Sequence, residues 1–133
     1  MTSFKNYYLK ETKLRPNLTK SIQESTKTIQ DLVKLIPQIE ESIIAIVDCL
    51  SKGKKVILFG NGGSAADAQH MAGEFVCILN KTFERPGLPA IAVTTDTSIL
   101  TAHANDMGFE NIFKRQVLTL GKPGDLLIAI SAS

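Results

Sequence analysis

The sequence predicts an α/β fold with a parallel sheet between helices, and three observations carry that expectation. Apolar runs of strand length stand at 56–59 (VILF), 90–94 (AIAVT) and 126–130 (LLIAI). Segments of helical periodicity separate them, and strands that alternate with helices pair in parallel through right-handed crossovers. Small or polar residues follow each run: Gly60-Asn61-Gly62-Gly63, Thr95-Asp96 and Ser131-Ala132-Ser133. Ligands of open parallel sheets collect at the C-terminal ends of strands, so these clusters mark the expected site.

The elements follow in order. Residues 1–15 are mixed and polar, with Phe4, Tyr7, Tyr8 and Leu9 available to dock as a first helix, and Pro16-Asn17 punctuates the chain. Over 18–36, Ile22, Ile29, Leu32, Val33 and Ile36 form a thin helical stripe. Pro37 suits the first turn of a new helix, 37–52, with Glu40 and Glu41 near its positive end and Gly53 past its C-terminus. Ile39, Ile43, Ile46, Val47 and Leu50 make that helix amphipathic. Such N-terminal stripes serve either subunit packing or packing on the chain's own sheet.

After the first strand, a helix is expected over 64–79, with Ser64 as N-cap and Ala68, Ala72, Phe75 and Leu79 as its packing stripe. Arg85-Pro86-Gly87 signals a turn before the second strand. Asp96 caps a helix over 97–104, Asn105-Asp106-Met107-Gly108 breaks the chain, and a helix over 110–120 ends at Gly121. Asp125 leads into the third strand. The expected division is N-terminal helices over 1–52 and the sheet-bearing part over 53–133.

A chain of 133 residues with 44% apolar content suits one globular domain. A formal charge of +2 and the lack of a dense basic cluster argue against a nucleic-acid partner. No apolar run approaches the ~18 residues of a membrane span, and the N-terminus lacks a signal core, so a cytoplasmic protein is expected. Cys49 and Cys77 have no metal-ligand spacing and read as buried free thiols. His103, beside apolar Ile99 and Leu100, reads as a surface or interface histidine without a catalytic role.

The chemistry concentrates in 60–75. The glycine turn can supply the tight backbone and close approach that an anion or sugar hydroxyl needs at a helix N-terminus. It is neither G-x-G-x-x-G nor a P-loop, which disfavours a dinucleotide or nucleoside triphosphate. His70 and Glu74 stand four apart, so both project from one helix face and could ligate one metal or act on one substrate. Alone, that spacing more often marks a solvated polar face with an incidental His–Glu contact.

The string GNGGSAADAQHMAGEF closely resembles the first active-site segment of the bacterial phosphoheptose (sedoheptulose 7-phosphate) isomerases of the sugar-isomerase (SIS) domain superfamily. AVTTDTSILTAHANDMGFENIFKRQV at 92–117 and GDLLIAISAS at 124–133 resemble the same family, over roughly 30–133 in all. The resemblance implies a three-layer, flavodoxin-like sandwich, a homotetramer with sites near subunit interfaces, and a zinc ion. The implied activity interconverts sedoheptulose 7-phosphate and D-glycero-D-manno-heptose 7-phosphate, the first step of ADP/GDP-heptose synthesis for surface polysaccharide.

Residue by residue, Asn61, Gly62, Gly63 and Ser64 match the loop that holds the sugar phosphate. His70 and Glu74 match a zinc-ligating pair, and Glu74 also matches the catalytic base. Asn105 and Asp106 match substrate contacts, and Ser131, Ala132 and Ser133 begin the serine-rich phosphate loop, with Ala132 losing one hydroxyl. A carboxylate that both binds metal and moves a proton is chemically awkward, so the acid–base role of Glu74 ranks first.

Two departures stand beside the match. Ile78 occupies a position where the family carries arginine, which removes a strong anion donor. The family also continues past this point with further strands and a C-terminal helix whose Gln and His complete the zinc site, so this chain reads either as a fragment cut inside the phosphate loop, the favoured reading, or as a shortened homologue that folds by association. His70 and Glu74 alone give a metal two protein ligands where a catalytic zinc usually has three. The competing class is a non-catalytic SIS-domain protein that binds the bacterial replication initiator. A sugar-phosphate sensor would need a DNA-binding domain, and no helix-turn-helix pattern is present.

Overall fold

A computed structural model describes residues 14–78, 80 and 82–132. Phe4, Tyr7, Tyr8, Leu9, Leu79 and Ser133 therefore lie outside the described residues. The chain divides into two compact units, 1–41 and 42–133.

In the first unit, helix α1 spans Leu14–Asp31, and a 3-10 turn, Leu32–Leu35, leads into α2, Ile36–Ser51, which continues across the boundary into the second unit. Pro16 sits in the first turn of α1 rather than ahead of the helix. Its missing N–H costs nothing there, because first-turn amides have no intrahelical partner. Pro37 explains the 3-10 turn. It has no N–H to offer the Val33 carbonyl, and Ile36 bonds that carbonyl instead in the tighter spacing. The stripe residues Ile22, Ile29 and Val33 are each about two-thirds exposed.

The second unit holds β1 (Val56–Gly60), α3 (Gly63–Val76), β2 (Ala90–Ala92), α4 (Thr97–Met107), a 3-10 turn (Phe109–Asn111), α5 (Ile112–Leu120) and β3 (Leu126–Ile130). The three strands are parallel in the order β2-β1-β3, with Val56 opposite both Ala90 and Leu126. The predicted parallel α/β sheet is present, and its first strand in sequence is the central one.

Alternation along β1 builds the three layers. Val56 and Leu58 face α3, where Ala68 and Ala72 are small enough to let the helix close on the sheet, and Leu50 of α2 packs against the same cluster. Ile57 and Phe59 face the other way, toward α5. The Phe59 and Phe113 rings lie 5.3 Å apart, and Gln116 Nε2 donates to the Val93 carbonyl at 2.9 Å. Val56, Ile57 and Leu58 are fully buried, each contributing about 1.5–3 kcal/mol of hydrophobic stabilisation. On α2, Ile46, Cys49 and Leu50 turn inward while Ile43, Ile44 and Val47 stay exposed.

Several boundaries differ from expectation for local reasons. Helix α3 begins at Gly63 and ends at Val76, not over 64–79. Its N-cap is Gly62 at φ 57°, and Ser64 makes no cap bond. Cys77 lies past the helix end and is exposed, so the expectation of two buried thiols holds for Cys49 alone. Strand β2 stops at Ala92, although Val93 N–H still reaches the Leu58 carbonyl at 3.0 Å. Asp96 caps α4 as expected, accepting from Ile99 N–H at 2.9 Å. That helix runs on through Asn105 and Asp106, and the chain breaks only at Gly108, φ 90°. Among the described residues, no helix is long and apolar enough to cross a membrane.

Candidate active site

The end of β1 sets the site. Gly60 is its last residue, and a Cβ there would stand 2.7 Å from both the Ile130 carbonyl and Ser64 Cβ. Only glycine lets β3 and the start of α3 close together at this point. The turn then closes on its own backbone, Ser64 N–H donating to the Asn61 carbonyl at 3.0 Å and Ala65 N–H to Gly62 at 3.1 Å.

The result is a cavity of about 440 Å³ lined by Asn61, Gly63, Ser64, Ser131 and Ala132, with Phe113 as an apolar wall. It joins two of the three strand-end clusters read from the sequence. The N-terminus of α3 opens on it, and the aligned peptide dipoles of the helix give that end a partial positive charge. Such an end suits an anion such as a phosphate, and the cavity is called the cradle below. Gly62 lines a neighbouring cavity of about 490 Å³ with Asn61 and Thr94.

His70 and Glu74 come together as the spacing requires, with Nε2 and Oε1 3.2 Å apart. The His70 side chain is 77% exposed and that of Glu74 34%. They line a third cavity, about 540 Å³, together with Phe75, Phe83 and Arg85. Ten residues of helix separate Ser64 from Glu74, an axial rise of about 15 Å. One chain therefore keeps its anion cradle and its His–Glu pair in separate cavities. Asn105 and Asp106 sit in the last turn of α4, exposed, with Asn105 Nδ2 donating to Asp106 Oδ1 at 2.8 Å. They line none of these three cavities.

The His70 imidazole and Glu74 carboxylate have the right donor chemistry for zinc, but two donors fall short of a site. Among the described residues no group of three or more His, Cys, Asp or Glu side chains could hold a metal ion. Sequence reasoning did not single out Phe113 or Arg85. An apolar residue on a helix carries no local sign that it walls a cavity, and Arg85 read only as part of a turn.

A parallel α/β domain whose glycine turn, helix N-terminus and serine-bearing strand end meet at one cavity has the architecture of domains that bind ligands at the C-terminal edge of the sheet. The sequence pattern of the SIS domain family matches residues 19–133, and the chain belongs to that family. A phosphoheptose isomerase of Burkholderia pseudomallei (strain 1710b) is 50% identical over 119 residues, covering 87% of this chain and 59% of the relative. One from Roseiflexus sp. (strain RS-1) is 53% identical over 113 residues, covering 85% and 55%. Among solved structures, the phosphoheptose isomerase of Neisseria gonorrhoeae superposes with a TM-score of 0.82 at 40% identity, covering 90% of this chain and 61% of that one. That of Francisella tularensis gives 0.75 at 36% identity, covering 88% and 62%. The chain spans under two-thirds of the length of these relatives.

Proposed function

We propose that this chain carries the phosphate cradle and the catalytic base of a ketose–aldose isomerase acting on sedoheptulose 7-phosphate. The observation that carries the reading is the cavity in which Asn61, Gly63 and Ser64 face Ser131 and Ala132. Its helix N-terminus and hydroxyls suit a phosphate monoester. The names of the relatives supply the sugar.

In this reading Glu74 removes the proton from the carbon next to the substrate carbonyl and returns it to the neighbouring carbon. The hydroxyl proton moves meanwhile from the outer oxygen to the former carbonyl oxygen, so the enediolate collapses to the aldose with no change in composition. The cradle holds the phosphate and so orients the reacting end. A substrate that touches both the cradle and Glu74 needs them from different copies, since one chain holds them about 15 Å apart. This favours an oligomer, proposed as a homotetramer, and the exposed Ile22, Ile29, Val33, Ile43 and Val47 supply apolar surface of the kind interfaces use. Zinc is the metal proposed for His70 and Glu74, with further ligands from outside the described residues, and when bound it supplies Lewis-acid stabilisation of an oxyanion. A cytoplasmic location is part of the same proposal.

The test is turnover of sedoheptulose 7-phosphate by the natural gene product, measured with a chelator and after zinc is restored. Turnover that chelation lowers and zinc restores supports the reading. An inert natural product overturns it and leaves a non-catalytic SIS-domain binding protein in its place.

A further inference from the structure

Helix α3 ends on Glu74 and two further residues, and the segment that completes that end comes from outside the helix. The last four carbonyls of any helix have no intrahelical partner. Here the Gly73 carbonyl accepts from Cys77 N–H at 2.8 Å, and the Phe75 carbonyl from Leu88 N–H at 2.9 Å. The Arg85 guanidinium reaches two of these carbonyls. Nη2 donates to the Glu74 carbonyl at 2.6 Å, and Nη1 donates to Phe75 at 2.9 Å and to Pro86 at 3.0 Å. One planar fork thus spans two successive carbonyls, one of them belonging to Glu74, and places its charge at the negative end of the helix. Arg85 also lines the cavity that His70 and Glu74 face.

We infer that Arg85 is a positioning residue for Glu74. Its fork sets where α3 stops and therefore where the Glu74 carboxylate stands. The inference rests on Glu74 acting as the base. A displacement of the base by about 1 Å costs on the order of 100-fold in rate, whereas the cradle at the other end of α3, nearly three turns away, is not disturbed. The loss falls on kcat, with KM nearly unchanged. Lysine keeps the charge but is a single point donor that cannot bridge both carbonyls.

The experiment compares the natural protein with Arg85→Ala, Arg85→Lys and, as a stability control ahead of the other edge strand, β3, Asp125→Ala. Arg85→Ala is expected to lower kcat by about 10–100-fold with KM changed less than about threefold, and millimolar methylguanidinium to restore part of kcat. Arg85→Lys recovers no more than about a tenth of the wild-type rate and carries the test if the alanine variant fails to fold. Amide exchange at Cys77 and Leu88 is expected to quicken about tenfold, with Ile57 and Leu58 unchanged. A kcat within about twofold of wild type, a loss that Asp125→Ala reproduces, or unaltered exchange at Cys77 and Leu88 overturns the inference. An inert wild-type protein counts against the isomerase reading instead, and the exchange measurement still decides whether Arg85 holds the helix end.

Discussion

Lys55 and Asp125, seventy residues apart, are joined twice across the N-terminal edge of the sheet. The Lys55 backbone N–H donates to Asp125 Oδ1 at 3.1 Å, and its ammonium to Oδ2 at 2.5 Å. Lys122 N–H adds a third donor at 2.7 Å. The carboxylate aligns the starts of β1 and β3, so the register between these strands is locked at one end by one side chain.

These bonds set a pH dependence. Chiefly the Lys55 side chain, then the backbone donors, hold the Asp125 carboxyl at about 2, below its ordinary 3.8, against a smaller opposing effect of burial. A depressed folded-state value means the unfolded chain takes up the proton first. The stabilisation is complete above pH 3.8 and is lost as pH falls through about 2. Acid unfolding of Asp125→Asn should be flatter across that window than wild type. Parallel curves would show that the pair contributes nothing.

Gly60→Ala places a methyl against the Ile130 carbonyl and Ser64 at 2.7 Å. The strand end and the helix start must separate, at a cost of about 1–3 kcal/mol. Inorganic phosphate should stabilise the wild-type protein against heat and the variant much less. An equal thermal shift in both would remove the cradle from the Gly60 turn.

Gln116 is the buried polar side chain of the core, donating to the Val93 and Ile112 carbonyls. Gln116→Leu keeps the volume and strands the Val93 carbonyl in an apolar site, which costs about 1–3 kcal/mol. The urea midpoint should fall with an unchanged slope. A changed slope would mean the substitution altered the compactness of a state rather than one bond.

Glu74→Gln preserves shape and removes the base. The kcat of the natural product toward sedoheptulose 7-phosphate should drop by about 100–10,000-fold while the melting temperature stays near wild type. Retained activity would falsify the assignment of the base to Glu74.

The three strands, the glycine turn, the Asp96 cap and the adjacency of His70 and Glu74 were all legible in the sequence. Each depends on residues within a turn or two of one another: alternation or apolar runs, a positive φ at Gly62, a side chain reaching its own helix start, an i,i+4 face. Resemblance to a family added roles that no spacing could supply.

Tertiary structure decided the rest. That β1 lies between β2 and β3 is a matter of pairing across the chain: its backbone bonds a strand on each edge, and the helices on both faces bury Val56, Ile57 and Leu58. The end of α3 was misplaced because its carbonyls are met by Arg85 and Leu88, ten to thirteen residues on, where no local rule looks. Asn105 and Asp106 share a sequence neighbourhood with the site in the family pattern, yet the fold of one chain holds them apart from its cavities. Local backbone chemistry is written in short range, while which surfaces meet is chosen by the burial of apolar area across the whole chain.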